Sequence, residues 1–494
     1  MNRLPRAPIV LLALICVIAL TSPVLAQPTT QPLPPPPTSL EHVTATWVQR
    51  GQSLLGLIVF IAIAFALGRL RGAQGPVPWR VVIWGVVLQF AFGVIVLNFP
   101  GLMAAVQYAV QALLDYTKDG ARFVFGNLID NAVPVTPGEF DAAGTKPIGY
   151  AQTGAVFAFF VCPTIIFFSA LTAIAYHSGI LQLVVKALAW VMHKTTGTSG
   201  AETLSTAANI FVGQTEAPLI IRPFVAAATN SELMVIMVGG FANIASGVLG
   251  LYTLWLSPFI DEVAGHLAAA CFISAPAALV VGKLLLPETT TPQTSGGVDF
   301  KVERVDANLV DAAARGTFEG LTLALNVAAM LIAFTALVAL VNGILGAAFG
   351  YNPLADVVNR HYGTGLPRIP MPTLEEILAY VMAPLAWLCG IPWGQCDDVG
   401  SLLGLKTVLN ELIAYAQMRD RFVADRNFLD PRSAIIATYA LCGFANFASI
   451  GIQIGGISTL APARRSDLSR LALVAMIGGA IASFMTACVV GVLL

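Results

Sequence analysis

The chain has 494 residues, of which 57% are hydrophobic and 11% charged, and its mean hydropathy is +0.79. So little polar surface excludes a soluble globular protein and defines a polytopic membrane protein. A formal net charge of −1 with dispersed Lys and Arg offers no face to nucleic acid, and the seven cysteines lack the spacing of a disulfide framework or a metal site.

Residues 1–26 read as a signal peptide: Arg3 and Arg6, an apolar run from Ile9 to Leu20, then Val24-Leu-Ala26 as a small-residue cleavage site. An uncleaved anchor is the alternative. Residues 27–50 read as a Pro-rich extracytoplasmic linker. Eight apolar runs follow that are long enough to span a bilayer, near 52–70, 79–99, 152–176, 231–255, 264–286, 318–347, 433–459 and 471–494. Residues 101–130 predict an amphipathic helix at the outer interface, and 179–194 its counterpart at the inner one. Residues 200–229 and 372–417 are apolar but broken by Gly and Pro and too polar in the middle to cross; they predict two re-entrant hairpins.

Arg69, Arg71 and Arg80 in one short link, and Arg464, Arg465 and Arg470 in another, place both links in the cytoplasm. The mature termini then face outward. The expected organisation is N-terminal scaffold helices and interfacial helix over 51–176, a first transport repeat over 177–286, a cytoplasmic linker over 287–317 and a second repeat over 318–494. Arg419, Arg421, Arg426 and Arg432 fall outside against the charge rule, with Asp420, Asp425 and Asp430 interleaved.

One polar phrase occurs twice inside apolar runs, 203 positions apart: Gly240-Phe-Ala-Asn243-Ile-Ala-Ser246 and Gly443-Phe-Ala-Asn446-Phe-Ala-Ser449. A glutamate in apolar surroundings precedes each copy, Glu216 by 27 positions and Glu411 by 35. In the predicted topology the two spans run in opposite directions, so the repeat is inverted. Duplicated polar breaks mark a secondary transporter's binding site, because freed backbone groups at mid-membrane are tolerated only around a cavity. Each carboxylate there costs about 2.5–3.5 kcal/mol, which demands a partner or a function. The bland partners are Arg222 for Glu216 and Lys406 for Glu411.

In Asn209-Ile-Phe-Val-Gly213-Gln-Thr-Glu216-Ala-Pro218, the Gly permits a turn and the Pro stops donation, so Gln214, Thr215 and Glu216 sit where helix ends. Gln214 and Thr215 suit a base or amide edge. Glu411, Asn446 and Ser449 suit vicinal hydroxyls, and Phe444 or Phe447 could form an aromatic wall or simply pack. Arg222 is the one Arg or Lys without a sequence-proximal partner in these segments, which disfavours an anionic substrate. Asn209 and the break at Asn243 to Ser246 offer oxygens for a small hard cation, or Asn209 merely caps the hairpin turn. One sodium driven by ~100 mV and a tenfold gradient supports roughly 500-fold accumulation. No phosphate-binding Gly-Lys loop and no His-Glu-x-x-His occurs, and the five histidines are dispersed, which disfavours an ATP-driven pump or a zinc protease.

Asn209-Ile-Phe-Val-Gly-Gln-Thr-Glu-Ala-Pro-Leu219, Leu409-Asn-Glu-Leu-Ile-Ala-Tyr415 and the segment from Arg432 to Gly451 each resemble signatures of the concentrative nucleoside transporter family, a likeness running from about residue 150 to the C-terminus. The resemblance implies an all-α polytopic fold with eight transmembrane helices and two re-entrant hairpins in an inverted repeat, working as an elevator-type homotrimer in lipid of the plasma (inner) membrane. It implies that Gln214, Thr215 and Glu216 face the nucleobase, that Glu411, Asn446 and Ser449 hold the ribose with Phe444 beside it, and that sodium binds Asn209, Asn243 and the Val212 and Ile244 carbonyls. Many members carry a hydroxyl residue where this chain has Asn243, Leu412 and Ile413 depart from a common Phe-Val, and Ala448 replaces a common Ser. The Gly-Gln before Thr215 resembles members that accept both purine and pyrimidine nucleosides. The expected function is sodium-coupled nucleoside import, without enzymatic activity or a cofactor beyond the coupling ion. Proton coupling through a glutamate, an ion-permeable channel with a Glu-lined vestibule, and, less favoured, an intramembrane enzyme are the alternatives.

Overall fold

The computed structural model describes residues 45–129, 132–135, 149–152, 157–295, 306–349 and 373–494. The predicted signal peptide, most of the Pro-rich linker and the middle of the 287–317 linker lie outside the described residues. Helix α1 (Trp47–Leu70) begins with a reciprocal Thr46/Gln49 cap, the arrangement that satisfies the free amides of a helix start. It is followed by α2 (Trp79–Asn98) and α3 (Pro100–Phe125). Along α3 the buried residues Met103, Val110, Leu114 and Ala121 fall on one face, as the amphipathic pattern predicts. Two four-residue strands, β1 (Ala132–Val135) and β2 (Gly149–Gln152), pair antiparallel and add a small ribbon to the expected all-helical fold.

Helix α4 (Phe157–His177) meets α5 (Ile180–Thr196) at a 74° bend, with Gly179 in the left-handed region at the corner. The first hairpin is α6 (Gly200–Ala208), a turn through Asn209–Glu216, and two short returning helices, α7 (Ala217–Ile220) and α8 (Arg222–Val225). Then come α9 (Asn230–Ala242) and α10 (Ser246–Leu256), the two halves of one broken span, and α11 (Val263–Leu285). Next, α12 (Leu309–Phe349) is a 41-residue helix. It packs chiefly on α4, where Gly316 and Gly320 let its backbone approach Ile166, Ser169 and Ala170. Elsewhere it exposes Phe318, Leu325, Ile332 and Leu340. Beyond the second hairpin stand α16 (Pro431–Leu441) and α17 (Phe447–Leu460), the second broken span, and α18 (Arg465–Leu493).

The region 372–417, predicted as one hairpin, holds three helical arms: α13 (Leu374–Leu388), α14 (Cys396–Val408) and α15 (Glu411–Ala424). The Cys389–Gln395 turn inside it is a corner between α13 and α14, set by Gly390 at φ 103° and by Pro392. The hairpin that matches the first one is α14 and α15, with its turn at Leu409 and Asn410. Each hairpin's returning arm therefore begins at its glutamate, Glu216 as the cap residue of α7 and Glu411 as the first residue of α15.

Among the described residues, six helical segments are each long and apolar enough to cross a membrane: Trp47–Leu70, Trp79–Asn98, Asn230–Leu256, Val263–Leu285, Leu309–Leu345 and Pro462–Leu493. The remaining predicted spans are present as α4, which bends into α5, and as the pair α16 and α17, too short singly. Buried Arg432, outside by the charge rule, closes the packing between α1, the α13–α14 corner and α18. It donates to the carbonyls of Gly390 at 2.5 Å and Gly491 at 2.7 Å and to Ser53 at 3.2 Å.

Candidate functional site

The two breaks cross. Asn243 ends α9 with extended backbone, and its carbonyl accepts a hydrogen bond from the Phe444 amide at 3.3 Å. Gly443 makes this approach possible: its φ is 148°, and a Cβ there would lie 2.7 Å from Ser483 Oγ, 2.8 Å from the Ala242 oxygen and 2.9 Å from the Phe241 oxygen. Asn446 restarts the second span as the N-cap of α17, its Oδ1 accepting from the Ser449 amide at 2.8 Å. Helical spacing then sets Ser449, Gln453 and Ile457 on one buried face of α17.

Glu411 is drawn into this crossing. Asn410 caps α15 through the Ile413 amide at 2.9 Å, which fixes Glu411 in the first turn, where the helix dipole favours a carboxylate. Its Oε1 accepts from Tyr252 Oη at 3.0 Å, and its Oε2 accepts from Asn446 Nδ2 at 3.2 Å. Tyr252 is held in place by the Tyr415 ring, 4.3 Å away between centroids. The proposed ion-pair partner is otherwise engaged: Lys406 donates to the Ala440 carbonyl at 2.9 Å. Glu411, Asn446 and Ser449, predicted together, are brought together.

The first hairpin reaches the same face of α17. Gln214 Oε1 accepts from Gln453 Nε2 at 3.1 Å, and Gln453 Nε2 also donates to the Met237 carbonyl at 3.1 Å. Thr215 packs against Gly456, where a Cβ would come within 2.7 Å of its methyl. Glu216 is exposed, and among the described residues its carboxylate accepts only from the Gly213 amide, at 3.4 Å. Arg222 is also exposed and makes no ion pair with Glu216 among the described residues. Phe444 is partly buried at the crossing, whereas Phe447 is 53% exposed and faces away from it.

The remaining predicted residues belong to a second group of buried polar residues beside the crossing. Asn209 is 1% exposed, and among the described residues neither its Oδ1 nor its Nδ2 has a partner. It abuts Gly239, one turn before Asn243: a Cβ there would lie 3.3 Å from Asn209 Nδ2. Asn243 Oδ1 accepts from Ser274 Oγ of α11, and its Nδ2 is unpartnered. No hydrogen bond among the described residues uses the Val212 or Ile244 carbonyl. A buried amide atom without a partner costs about 1–3 kcal/mol, and among the described residues the one free side-chain amide oxygen here is Asn209 Oδ1. The small set of side-chain and backbone oxygens suits a hard monovalent cation. As a cap, Asn209 does nothing: its side chain bonds no turn amide.

Sequence reasoning missed Tyr252, Gln453 and Ser274. Tyr252 and Ser274 sit in long apolar helices and read as packing. Gln453 carried a usable signal: a lone amide in Ile-Gly-Ile-Gln-Ile-Gly-Gly, four residues after Ser449.

Hairpins that stop at polar tips, and broken helices crossing among buried, unpaired polar groups, define a membrane transporter of the secondary type. Three family profiles narrow this: Na+ dependent nucleoside transporter N-terminus over residues 55–128, nucleoside recognition over 158–259, and Na+ dependent nucleoside transporter C-terminus over 266–491. The chain belongs to the Na+ dependent, or concentrative, nucleoside transporter family. It is 42% identical to an uncharacterized transporter, YutK, of Bacillus subtilis, an alignment covering 89% of this chain and 98% of that one. It is 40% identical to sodium/nucleoside cotransporter 1 of Rattus norvegicus, again over 89% of this chain but only 63% of the rat protein. The fold matches the structure of CNTnw in an inward-facing, substrate-bound state, with a TM-score of 0.76, 35% identity and coverage of 90% and 98% of the two chains. A CNTnw variant in an outward-facing state matches with a TM-score of 0.75. These relatives are transporters, not enzymes.

Proposed function

We propose that this protein is a cation-coupled importer of nucleosides that binds its substrate where the two broken helices cross. The observation that carries the reading is the Tyr252–Glu411–Asn446 network beside Ser449, joined through Gln453 to Gln214. A buried carboxylate flanked by an amide and a hydroxyl is the complement of two vicinal hydroxyls. The amide of Gln214 and the hydroxyl of Thr215, one helical turn along, complement the edge of a base, with Glu216 facing it through water. In this reading Phe444 lies beside the ligand.

Sodium is the coupling ion we propose, held by Asn209, Asn243 and the Val212 and Ile244 carbonyls. The buried, unpartnered Oδ1 of Asn209 supports it, as does the name of the family. The Phe444–Asn243 bond connects the ion pocket to the substrate pocket, so a cation that orders Asn243 also orders the crossing that carries Asn446. Alternating access by elevator-like movement of the hairpin-containing half fits the thin contact of α12 with anything but α4, and the bare apolar face of α12 fits a homotrimer core in the plasma (inner) membrane.

The test is uptake of radiolabelled uridine and adenosine into proteoliposomes with an inward sodium gradient, an inward proton gradient, or neither. Accumulation with sodium alone is the expected result. Accumulation with protons alone moves coupling to a glutamate, and flux that never exceeds equilibrium returns the channel reading.

A further inference from the structure

Gln453 is a fully buried amide that the chemistry of the site does not require, yet two of its contacts fix the hydrogen-bonding sense of Gln214. Its position is made by Gly240, where a Cβ would lie 2.4 Å from Gln453 Nε2. The Met237 carbonyl can only accept, so the Gln453 atom facing it at 3.1 Å must be the nitrogen. The same nitrogen faces Gln214 at 3.1 Å, so the Gln214 atom there must be the oxygen. Turning Gln453 over would set its oxygen against the Met237 oxygen, two acceptors in contact. Its own Oε1 is buried without a partner, a cost that this arrangement accepts to keep both donated bonds. The free amide atom of Gln214 is therefore Nε2, a donor.

We infer that Gln453 is a specificity-determining positioning residue: by holding Gln214 as a donor, it makes the site select bases that present a carbonyl oxygen over those that present an exocyclic amine. The inference rests on the nucleoside reading above. A base amine brought to Gln214 Nε2 puts donor against donor, and the backbone anchor at Met237 stops the amide from turning to suit it. The preferred member of each isosteric pair is uridine over cytidine and inosine over adenosine. The ribose end, built on Glu411 and Asn446, takes no part in this choice.

The experiment measures competition by unlabelled uridine, cytidine, inosine, adenosine and 2′-deoxyuridine against labelled uridine uptake, in the wild type, Gln453→Met and Gln453→Glu. The wild type is expected to favour each carbonyl nucleoside about tenfold, the order of one lost hydrogen bond. In Gln453→Met, which keeps length and loses the donor, the ratio should fall to about twofold or less while the uridine to 2′-deoxyuridine ratio holds. In Gln453→Glu the new acceptor draws Gln214 Nε2 inward, and the preference should reverse. A wild type that does not discriminate, a Gln453→Met that retains the full ratio, or a loss that moves the deoxyuridine ratio equally overturns the inference. If the variants fail to fold, the wild-type ratios decide it. A wild type inhibited by no nucleoside overturns the functional reading itself, and is told apart by the absence of any labelled uptake.

Discussion

The two hairpins descend from one pattern and end differently. In the second, Glu411 is buried and bonded to groups from two other elements, Tyr252 and Asn446. In the first, Glu216 stands at the equivalent place on the returning arm, yet it is exposed and takes a single long bond from its own turn. What fixes each carboxylate is its capping chemistry: Asn410 pins the start of α15, whereas no side chain caps α7. An inverted repeat thus supplies one preorganised arm, whose hydrogen bonds are set before a ligand arrives, and one open arm that must be ordered by what it binds.

The strongest way to break this comparison is Glu411→Gln. It removes the charge that both Tyr252 and Asn446 address, and charge-assisted bonds of this kind are worth about 1.5–3 kcal/mol each. Uridine uptake into proteoliposomes should fall by roughly 100-fold, with the protein still present in the membrane at wild-type amount. The glycines of the duplicated phrase form the next test. Gly443→Ala meets backbone oxygens and an unfavourable φ, and should lower stability by about 2 kcal/mol in thermal unfolding in detergent. Gly240→Ala meets side-chain atoms of Gln453 and Gln214 rather than backbone, and should cost about half as much. Equal losses would mean that the crossing does not depend on the second copy more than on the first.

Smaller effects sharpen the contrast. Tyr252→Phe deletes one hydrogen bond to Glu411, about 1 kcal/mol, and should weaken uridine affinity about fivefold with little change in stability. Glu216→Gln should weaken it only about threefold, since its carboxylate takes one long hydrogen bond and has little to lose. A Glu216→Gln loss as large as that of Glu411→Gln would show the two arms to be equivalent after all.

Much of this was legible in the sequence, because the polar breaks stand out against apolar runs. Asn243, Asn446, Glu411 and Ser449 are conspicuous where every buried polar group has a cost, and the structure gathers them at one crossing. The hairpin tip at Asn209–Glu216 was equally legible from Gly213 and Pro218. The second hairpin was not, since Gly390 and Pro392 give a stronger breaking signal than Leu409-Asn410, although it is Asn410 that turns the chain by capping α15. Tyr252 was invisible for a different reason. Its role comes from a tertiary partner 159 positions away, and nothing local in an apolar helix announces such a partner; Gln453 stands out as a lone amide, but its partner 239 positions away does not.

The hydrogen bond from Phe444 to the Asn243 carbonyl also bears on how the protein is made. Residues 201 positions apart are joined in it, so the crossing proposed to bind the substrate does not exist while the ribosome is still threading the first repeat into the bilayer. Until α17 arrives, α9 and α10 must wait with their break unsatisfied, a segment that insertion machinery or a chaperone would have to shelter from lipid. A chain cut short before residue 444 would therefore expose this unfinished break to membrane quality control rather than leave behind a half-working transporter.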